Sequence, residues 1–171
     1  SVLITAGPTF EAIDPVRGIT NHSSGKMGFA IARAAIEAGA QVHLIAGPCD
    51  LETPLAATGK ITRTDVVSAK QMHAAALQST DNDVFFAVAA VADWGVAKPS
   101  KEKIKRQEQK APELAFEANP DILLDVAKSV KTKAGKPFPY CVGFAAESTN
   151  LEAHAKEKLQ RKGIPMIVGN I

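Results

Sequence analysis

The chain has 171 residues, 46% hydrophobic and 22% charged, which fits one globular domain and excludes a disordered or fibrous polypeptide. Lysine and arginine number 20 against 18 aspartate and glutamate, a net charge of +2, too small for a protein that binds nucleic acid through its phosphate backbone. The two cysteines, Cys49 and Cys141, have no metal-ligand spacing and imply reduced thiols in the cytoplasm, and the longest apolar stretches, such as Val84–Ala92, fall short of the ~20 residues that cross a bilayer.

Val2–Ala6 is a short apolar run stopped by Gly7-Pro8, the pattern of a strand inside a parallel sheet. Residues 7–26 follow without periodicity. A loop of about 20 residues where 2–6 are usual points to function. Met27, Ile31, Ala34, Ala35 and Ala38 then recur at the helical period, with Gly39 as the stop. Gln41–Ala46 is a second strand closed by Gly47-Pro48, so the three elements make a right-handed parallel crossover. Ile61–Val66 predicts a strand, Ser68–Leu77 a helix capped by Ser68, and Val84–Ala90 a buried strand.

Residues 93–118 break the alternation. They carry Lys98, Lys101, Lys103, Lys105, Arg106 and Lys110, then the alternating Leu114, Phe116 and Ala118, which predicts a mobile basic flap ending in a short hairpin. A helix over Asp121–Val130, a strand over Tyr140–Ala145, a helix over Leu151–Lys162 and a strand over Met166–Val168 complete the chain. The alternation specifies an α/β, three-layer Rossmann-like fold with a mostly parallel sheet. The opening Ser-Val-Leu-Ile-Thr has no basic signal-peptide region, and a chain that starts in a strand without Met reads as one domain of a longer polypeptide.

Asn21-His22-Ser23-Ser24-Gly25-Lys26-Met27-Gly28 stands before the first helix, where free backbone N–H groups and the helix dipole attract anions. Its glycines allow close approach and its serines can donate to phosphate oxygens; an ordinary Ser-rich helix cap is the alternative. It is not a Walker A loop, because Lys26 is followed by Met27. Asp93 follows Ala89-Ala90-Val91-Ala92 at the carboxyl edge where open α/β sheets bind ligands, or it is a turn residue. Lys103 lies in a basic run of the kind that usually faces solvent.

The stretch from Gly25 to Ile45 is similar to the first βαβ unit of short-chain dehydrogenases. That reading, an NAD(P)-dependent oxidoreductase, meets two objections. Tyr140 is followed four residues later by Phe144, not Lys, and Gly47-Pro48 stands where an acidic residue should hold the ribose, with Asp50 only nearby.

Taken together, Thr5-Ala6-Gly7-Pro8-Thr9, Asp14-Pro15-Val16-Arg17, Asn21 to Gly28, Ala89 to Asp93, Lys103-Ile104-Lys105, Asn119-Pro120-Asp121-Ile122 and Gly143-Phe144-Ala145-Ala146-Glu147 resemble the phosphopantothenate–cysteine ligase family. This is the synthetase half of a bacterial bifunctional coenzyme A biosynthesis protein, and the motifs run in order over nearly the whole chain. The resemblance implies an amide-forming ligase, unrelated to ATP-grasp enzymes, that joins 4′-phosphopantothenate to cysteine. It implies CTP as co-substrate with Mg²⁺, an acyl-cytidylate intermediate, and release of CMP and pyrophosphate. A carboxylate is a poor acyl donor until a nucleotide leaving group activates it, and that step needs cations around a triphosphate.

The resemblance assigns Asn21 and Lys103 as catalytic, Asn21 for the attack by cysteine and Lys103 for forming the acyl-cytidylate. Gly7, Ser23, Gly25, Gly28, Ala87, Val88, Ala89, Ala90, Asp93, Pro120, Asp121, Ile122, Leu123, Phe144, Lys158 and Lys162 would bind the nucleotide or the intermediate. Lys158 and Lys162, one turn apart, are otherwise a surface helix face. Arg17 would reach the pantothenate site of a neighbouring subunit, and no metal ligand is assigned. Trp94 stands where many relatives have Tyr. The family continues beyond Gly169-Asn170-Ile171 and carries a decarboxylase domain upstream, so residues 1–171 are expected to be one nucleotide-binding ligase domain whose parent is a cytoplasmic homodimer.

Overall fold

Short apolar strands bounded by Gly-Pro pair side by side because each buries both faces under helices. In the computed structural model, which describes residues 1–55, 57–105, 112–129, 131–133, 136–146 and 149–170, the order is β1 (Val2–Ala6), β2 (Phe10–Ala12), β3 (Gly18–Thr20), α1 (Lys26–Glu37), β4 (Gln41–Ala46), β5 (Lys60–Asp65), α2 (Ala69–Gln78) and β6 (Val84–Ala87). There follow β7 (Trp94–Val96), β8 (Phe116–Ala118), α3 (Ile122–Lys128), β9 (Lys131–Lys133), β10 (Lys136–Phe138), β11 (Tyr140–Ala146), α4 (Leu151–Lys162) and β12 (Met166–Asn170).

Six strands form the central sheet in the order β12-β11-β6-β1-β4-β5, every pair parallel. The chain winds outward from β1 to β4 and β5, then returns across β1 to β6, so the winding reverses between β1 and β6. Open α/β sheets bind ligands at the carboxyl ends of the strands flanking that reversal. The Rossmann-like reading of the sequence is therefore met in full.

Register sets the two faces. Leu3 is opposite Phe85 and Ile4 opposite Phe86, so odd and even positions of β1 point to different layers. Phe29, Ala32 and Ile36 of α1 pack with Ile4, Ala6, Val42 and Leu44 on one face. Met72 and Ala76 of α2, with Ile122, Leu123 and Val126 of α3, pack with Leu3, Phe85 and Cys141 on the other. Each large side chain buried in this way contributes about 1.5–3 kcal/mol. No helix among the described residues is long and apolar enough to cross a membrane.

The helices start where local chemistry tells them to. Ser68 caps α2 with a full capping box, its Oγ accepting from Gln71 N–H at 3.3 Å while Gln71 Oε1 accepts from Ser68 N–H at 3.1 Å. The cap of α1 is Gly25, at φ 76° and without a side-chain bond, a conformation that a side chain would strain.

Three expectations need correction, and one element was not foreseen. Residues 7–26 are not featureless, because β2 and β3 pair as an antiparallel hairpin too short to leave a period-2 signature. The strand expected over Val84–Ala90 ends at Ala87; of β6 only Phe85 is fully buried, and Pro8 meets Ala90 as a lone bridge. The basic flap does not end in a hairpin: β7 before it pairs antiparallel with β8 after it, so the pair closes its base. The hairpin of β9 and β10, rich in lysine and proline, had no apolar signal at all. Val130, Arg106, Lys110, Glu147 and Ile171 lie outside the described residues.

Two outcomes follow from the core. A methyl group on Gly28 would stand 2.5 Å from Ala6 Cβ and 3.1 Å from its Cα, so Gly28→Ala should cost about 1–3 kcal/mol and lower Tm by several degrees in a thermal melt. Burial pushes the Cys141 thiol up to about 11, whereas Cys49 is partly exposed. Alkylation with iodoacetamide at pH 8, followed by peptide mapping, should modify Cys49 and spare Cys141 until the protein unfolds.

Candidate functional site

The segment Ala90-Val91-Ala92-Asp93 leaves the sheet at its carboxyl edge and is held by side chains on both flanks. On one flank the Ala90 carbonyl accepts from Thr9 N–H at 3.1 Å and from Asn21 Nδ2 at 2.9 Å, and Ala92 N–H donates to Thr9 Oγ1 at 3.0 Å. On the other, the Ala92 carbonyl accepts from Asn119 Nδ2 at 2.9 Å and the Asp93 carbonyl from Asn119 N–H at 2.9 Å. Thr20 Oγ1 closes the first flank by donating to the Thr9 carbonyl at 2.8 Å. Small side chains keep this ridge low, so space opens along both sides.

One cleft, of about 260 Å³, is lined by Ala87, Ala89, Val91 to Asp93, Asn119 to Leu123, Phe144, Lys158 and Lys162, with Thr5 at its base. The other, of about 520 Å³, is lined by Ile19, Thr20, Asn21, Val91 to Trp94 and Phe116. The two share Val91, Ala92 and Asp93. Their chemistry differs: the first has two lysines and two aspartates, whereas the second has no lysine and holds the Asn21 amide and Thr20 beside the shared Asp93 among apolar groups, with Trp94 62% and Phe116 54% exposed.

The lysines come from one face of α4. Lys158 Nζ donates to the Phe144 carbonyl at 2.6 Å, and Lys162 is ion-paired with Asp121. Asp121 Oδ1 caps α3 by accepting from Leu124 N–H at 3.0 Å, so this carboxylate joins α3 to α4. Burial holds Lys162 below the ordinary lysine range, against the opposing pull of the Asp93 charge. Among the described residues no group of three or more His, Cys, Asp or Glu could hold a metal ion.

Of the residues singled out by sequence, Ala87, Ala89, Asp93, Pro120, Asp121, Ile122, Leu123, Phe144, Lys158 and Lys162 come together in the first cleft, and Asn21 joins Asp93 in the second. Gly7, Ser23, Gly25, Gly28, Val88 and Ala90 line neither cleft; they bond to or pack against neighbouring backbone. The Gly7 carbonyl accepts from Ala90 N–H at 2.9 Å, Val88 N–H donates to the Thr5 carbonyl at 3.2 Å, and Ser23 Oγ accepts from Gly25 N–H at 3.3 Å. A Cβ on Gly25 would lie 3.2 Å from Gly7 Cα, so close packing already explains Gly25 and Gly28.

Lys103 is exposed and Arg17, also exposed, is ion-paired with Asp14, its Nε 3.2 Å from Asp14 Oδ2; neither lines either of these two clefts. Tyr140, the residue a dehydrogenase would need, opens β11 at the opposite, amino edge of the sheet, remote from both clefts. Sequence reasoning gave no role to Thr9 and Asn119, which with Asn21 fix the ridge. Asn119-Pro120 ahead of a helix was the available signal; a buried threonine after Gly-Pro has none.

The family model of the DNA/pantothenate metabolism flavoprotein C-terminal domain matches residues 1–171. The chain is 48% identical over 171 residues to the coenzyme A biosynthesis bifunctional protein CoaBC of Haemophilus influenzae, covering 99% of this chain and 40% of that protein. The chain thus spans about 40% of the length of this curated relative. The crystal structure of the C-terminal domain of a coenzyme A biosynthesis bifunctional protein CoaBC superposes with a TM-score of 0.81 at 41% identity, covering 99% of this chain and 76% of that one. A Cab2 mutant in complex with phosphopantothenate-cysteine has the same fold, with a TM-score of 0.75 at 20% identity over 99% of this chain and 71% of that one. With its full length matched and its sheet, ridge and clefts in this arrangement, the chain belongs to the family of the DNA/pantothenate metabolism flavoprotein C-terminal domain.

Proposed function

We propose that residues 1–171 are the ligase domain that joins 4′-phosphopantothenate to cysteine, driven by CTP through an acyl-cytidylate. The observation that carries this reading is the meeting of two unlike clefts at Val91–Asp93: a charged one, whose two lysines beside two aspartates suit the phosphates of a nucleotide, and a mainly apolar one with the Asn21 amide, suited to a pantothenate arm. The likeness to the coenzyme A biosynthesis proteins supports it, as does the phosphopantothenate-cysteine bound by a protein of the same fold.

In the first half-reaction the pantothenate carboxylate attacks the α-phosphorus of CTP, forming the acyl–phosphate bond as the bond to pyrophosphate breaks. Lys158 and Lys162 face that cleft, where positive charge stabilises phosphate oxygens, and Lys103 would add a further cation from the flap. In the second, the cysteine amine attacks the acyl carbon, loses a proton and expels CMP. Asn21 Nδ2 carries two hydrogens; one is held by the Ala90 carbonyl, so the second points with fixed geometry and donates to the developing oxyanion.

Mg²⁺ fits this cleft as a passenger of the triphosphate. Asp93 and Asp121 are its lining carboxylates, Asp121 is already engaged by Lys162 and Leu124, and Mg²⁺ is commonly held by substrate phosphates with one or two carboxylates. Bound there, it would neutralise phosphate charge. The same reading carries a homodimeric, cytoplasmic parent with a decarboxylase domain upstream.

The full-length protein incubated with CTP, 4′-phosphopantothenate and cysteine should release CMP and pyrophosphate; binding of CTP without turnover would leave a regulatory nucleotide-binding module instead. Single-turnover measurements should divide the roles. Lys103→Gln should slow pyrophosphate release by about 10²-fold or more, whereas Asn21→Asp should still release pyrophosphate and then stall before CMP. Equal loss of pyrophosphate release in both variants would remove the division of labour. Lys162→Ala should weaken CTP binding by about 10–100-fold in calorimetry, the value of a charge-assisted hydrogen bond.

A further inference from the structure

The Asp14 carboxylate is buried, with none of its side chain exposed, and it does two different things with its two oxygens. Oδ1 accepts from Val16 N–H at 2.8 Å and Arg17 N–H at 3.0 Å, which closes the turn between β2 and β3 as an Asx turn. That local work leaves Oδ2 over. Oδ2 accepts from Ile104 N–H at 3.0 Å and is ion-paired with Arg17 Nε at 3.2 Å, and Arg17 Nη2 donates to the Ile104 carbonyl at 3.2 Å. Both backbone polar groups of Ile104 are therefore gripped by the hairpin turn. A second tie lies four residues earlier, where Ser100 N–H donates to the Ile13 carbonyl at 2.9 Å. Lys103 sits between these two ties, and Asn21 directly follows β3 of the same hairpin.

We propose that Asp14 and Arg17 are positioning residues that clasp the flap backbone at Ile104 and so present Lys103 from a fixed root, the hairpin serving as a common mount for Lys103 and Asn21. The proposal rests on the reading of Lys103 as a phosphate-stabilising group. Its physical content is entropic: a residue whose neighbour is held by two hydrogen bonds searches through its side-chain rotamers alone, so less ordering is needed when substrate arrives. The clasp is also self-consistent in charge. Burial pushes the Asp14 carboxyl upward, but the N–H groups of Ile104, Val16 and Arg17 and the Arg17 guanidinium outweigh it and hold the group ionised, below the usual carboxylate range.

The test uses the full-length protein with Asp14→Asn, Arg17→Gln and Lys103→Gln, alone and in pairs. An asparagine can keep its single oxygen on the turn but then faces Ile104 N–H with an amide donor. Hydrogen exchange at the Ile104 amide should accelerate about tenfold or more in Asp14→Asn, with the Phe85 and Val142 amides of the sheet unchanged. Pyrophosphate release in a single turnover should slow by about 10–100-fold while CTP affinity, set in the other cleft, stays at the wild-type value. In the Lys103→Gln background Asp14→Asn should add no further loss. Arg17→Gln keeps the Oδ1 bonds of the turn and should reproduce the exchange effect if Asp14→Asn does not fold. Unchanged exchange at Ile104 in the folded variants, or losses that multiply with Lys103→Gln, would overturn the clasp. A wild-type protein that released no pyrophosphate would sink the ligase reading instead, while the Ile104 amide still reported whether the clasp exists.

Discussion

Everything at the site is referred to the backbone of Ala90–Asp93, which runs out of the sheet after a single bridge to Pro8 with carbonyl and N–H groups that the strand ladder leaves over. A buried polar group left without a partner costs about 1–3 kcal/mol, so such a segment persists only where side chains take over from the ladder. Thr9, Asn21 and Asn119 do so from two directions. Thr9 is fully buried, which makes its hydroxyl bond to Ala92 part of the core. Because these three side chains hold the ridge, the ridge needs no bulk of its own, and alanines leave room for clefts on either flank.

The parallel sheet explains why the ridge is there. Strand order reverses between β1 and β6, so the connections leaving them diverge and open a crevice at the carboxyl edge. Gly28 lets α1 approach Ala6 within van der Waals contact, which brings the chain before α1, including Asn21, up to the crevice. On the far side Asp121 ties Lys162 to the start of α3, and Lys158 is tied to β11. These cations are preplaced by internal partners, and an incoming phosphate would exchange with a carboxylate and a carbonyl rather than with bulk water. Preplacement of that kind lowers the reorganisation needed when charge develops.

The hairpin of β2 and β3 links the remaining parts. Its strands are three residues each, and an isolated two-stranded hairpin is marginal in water. Here Phe10 N–H donates to the Val67 carbonyl at 2.8 Å, and the buried Glu11 accepts from Ala69 N–H at 2.8 Å, so α2 supports one strand while Thr20 is bonded to Thr9. The turn is stabilised by Asp14. A small element braced in this way can hold groups at both ends of a site without a core of its own.

How much of this was legible in residues alone depends on the range of the interaction. The six central strands and four helices announced themselves through apolar runs, the 3.6-residue period, Gly-Pro stops and the Ser68 cap, all of which act within a few residues of the chain. The alternation also determined the fold class, since parallel strands with helical crossovers admit few arrangements. The lysines of α4 and the segment Pro120–Leu123 were pointed out by resemblance, and the sheet brings them into one cleft. Other features depended on contacts that no local pattern encodes. Arg17 is paired with the buried Asp14, and Ile104 is gripped from 90 residues away. The strand expected over Val84–Ala90 stops at Ala87, and the chain beyond it is held at Ala90 and Ala92 by Thr9, Asn21 and Asn119 instead. Composition and periodicity thus determined the central strands, the helices and the layered fold class, because those follow from local burial. Only the tertiary structure decided which side chains replace the missing ladder at the sheet edge, because that choice rests on hydrogen bonds between residues brought together by the fold.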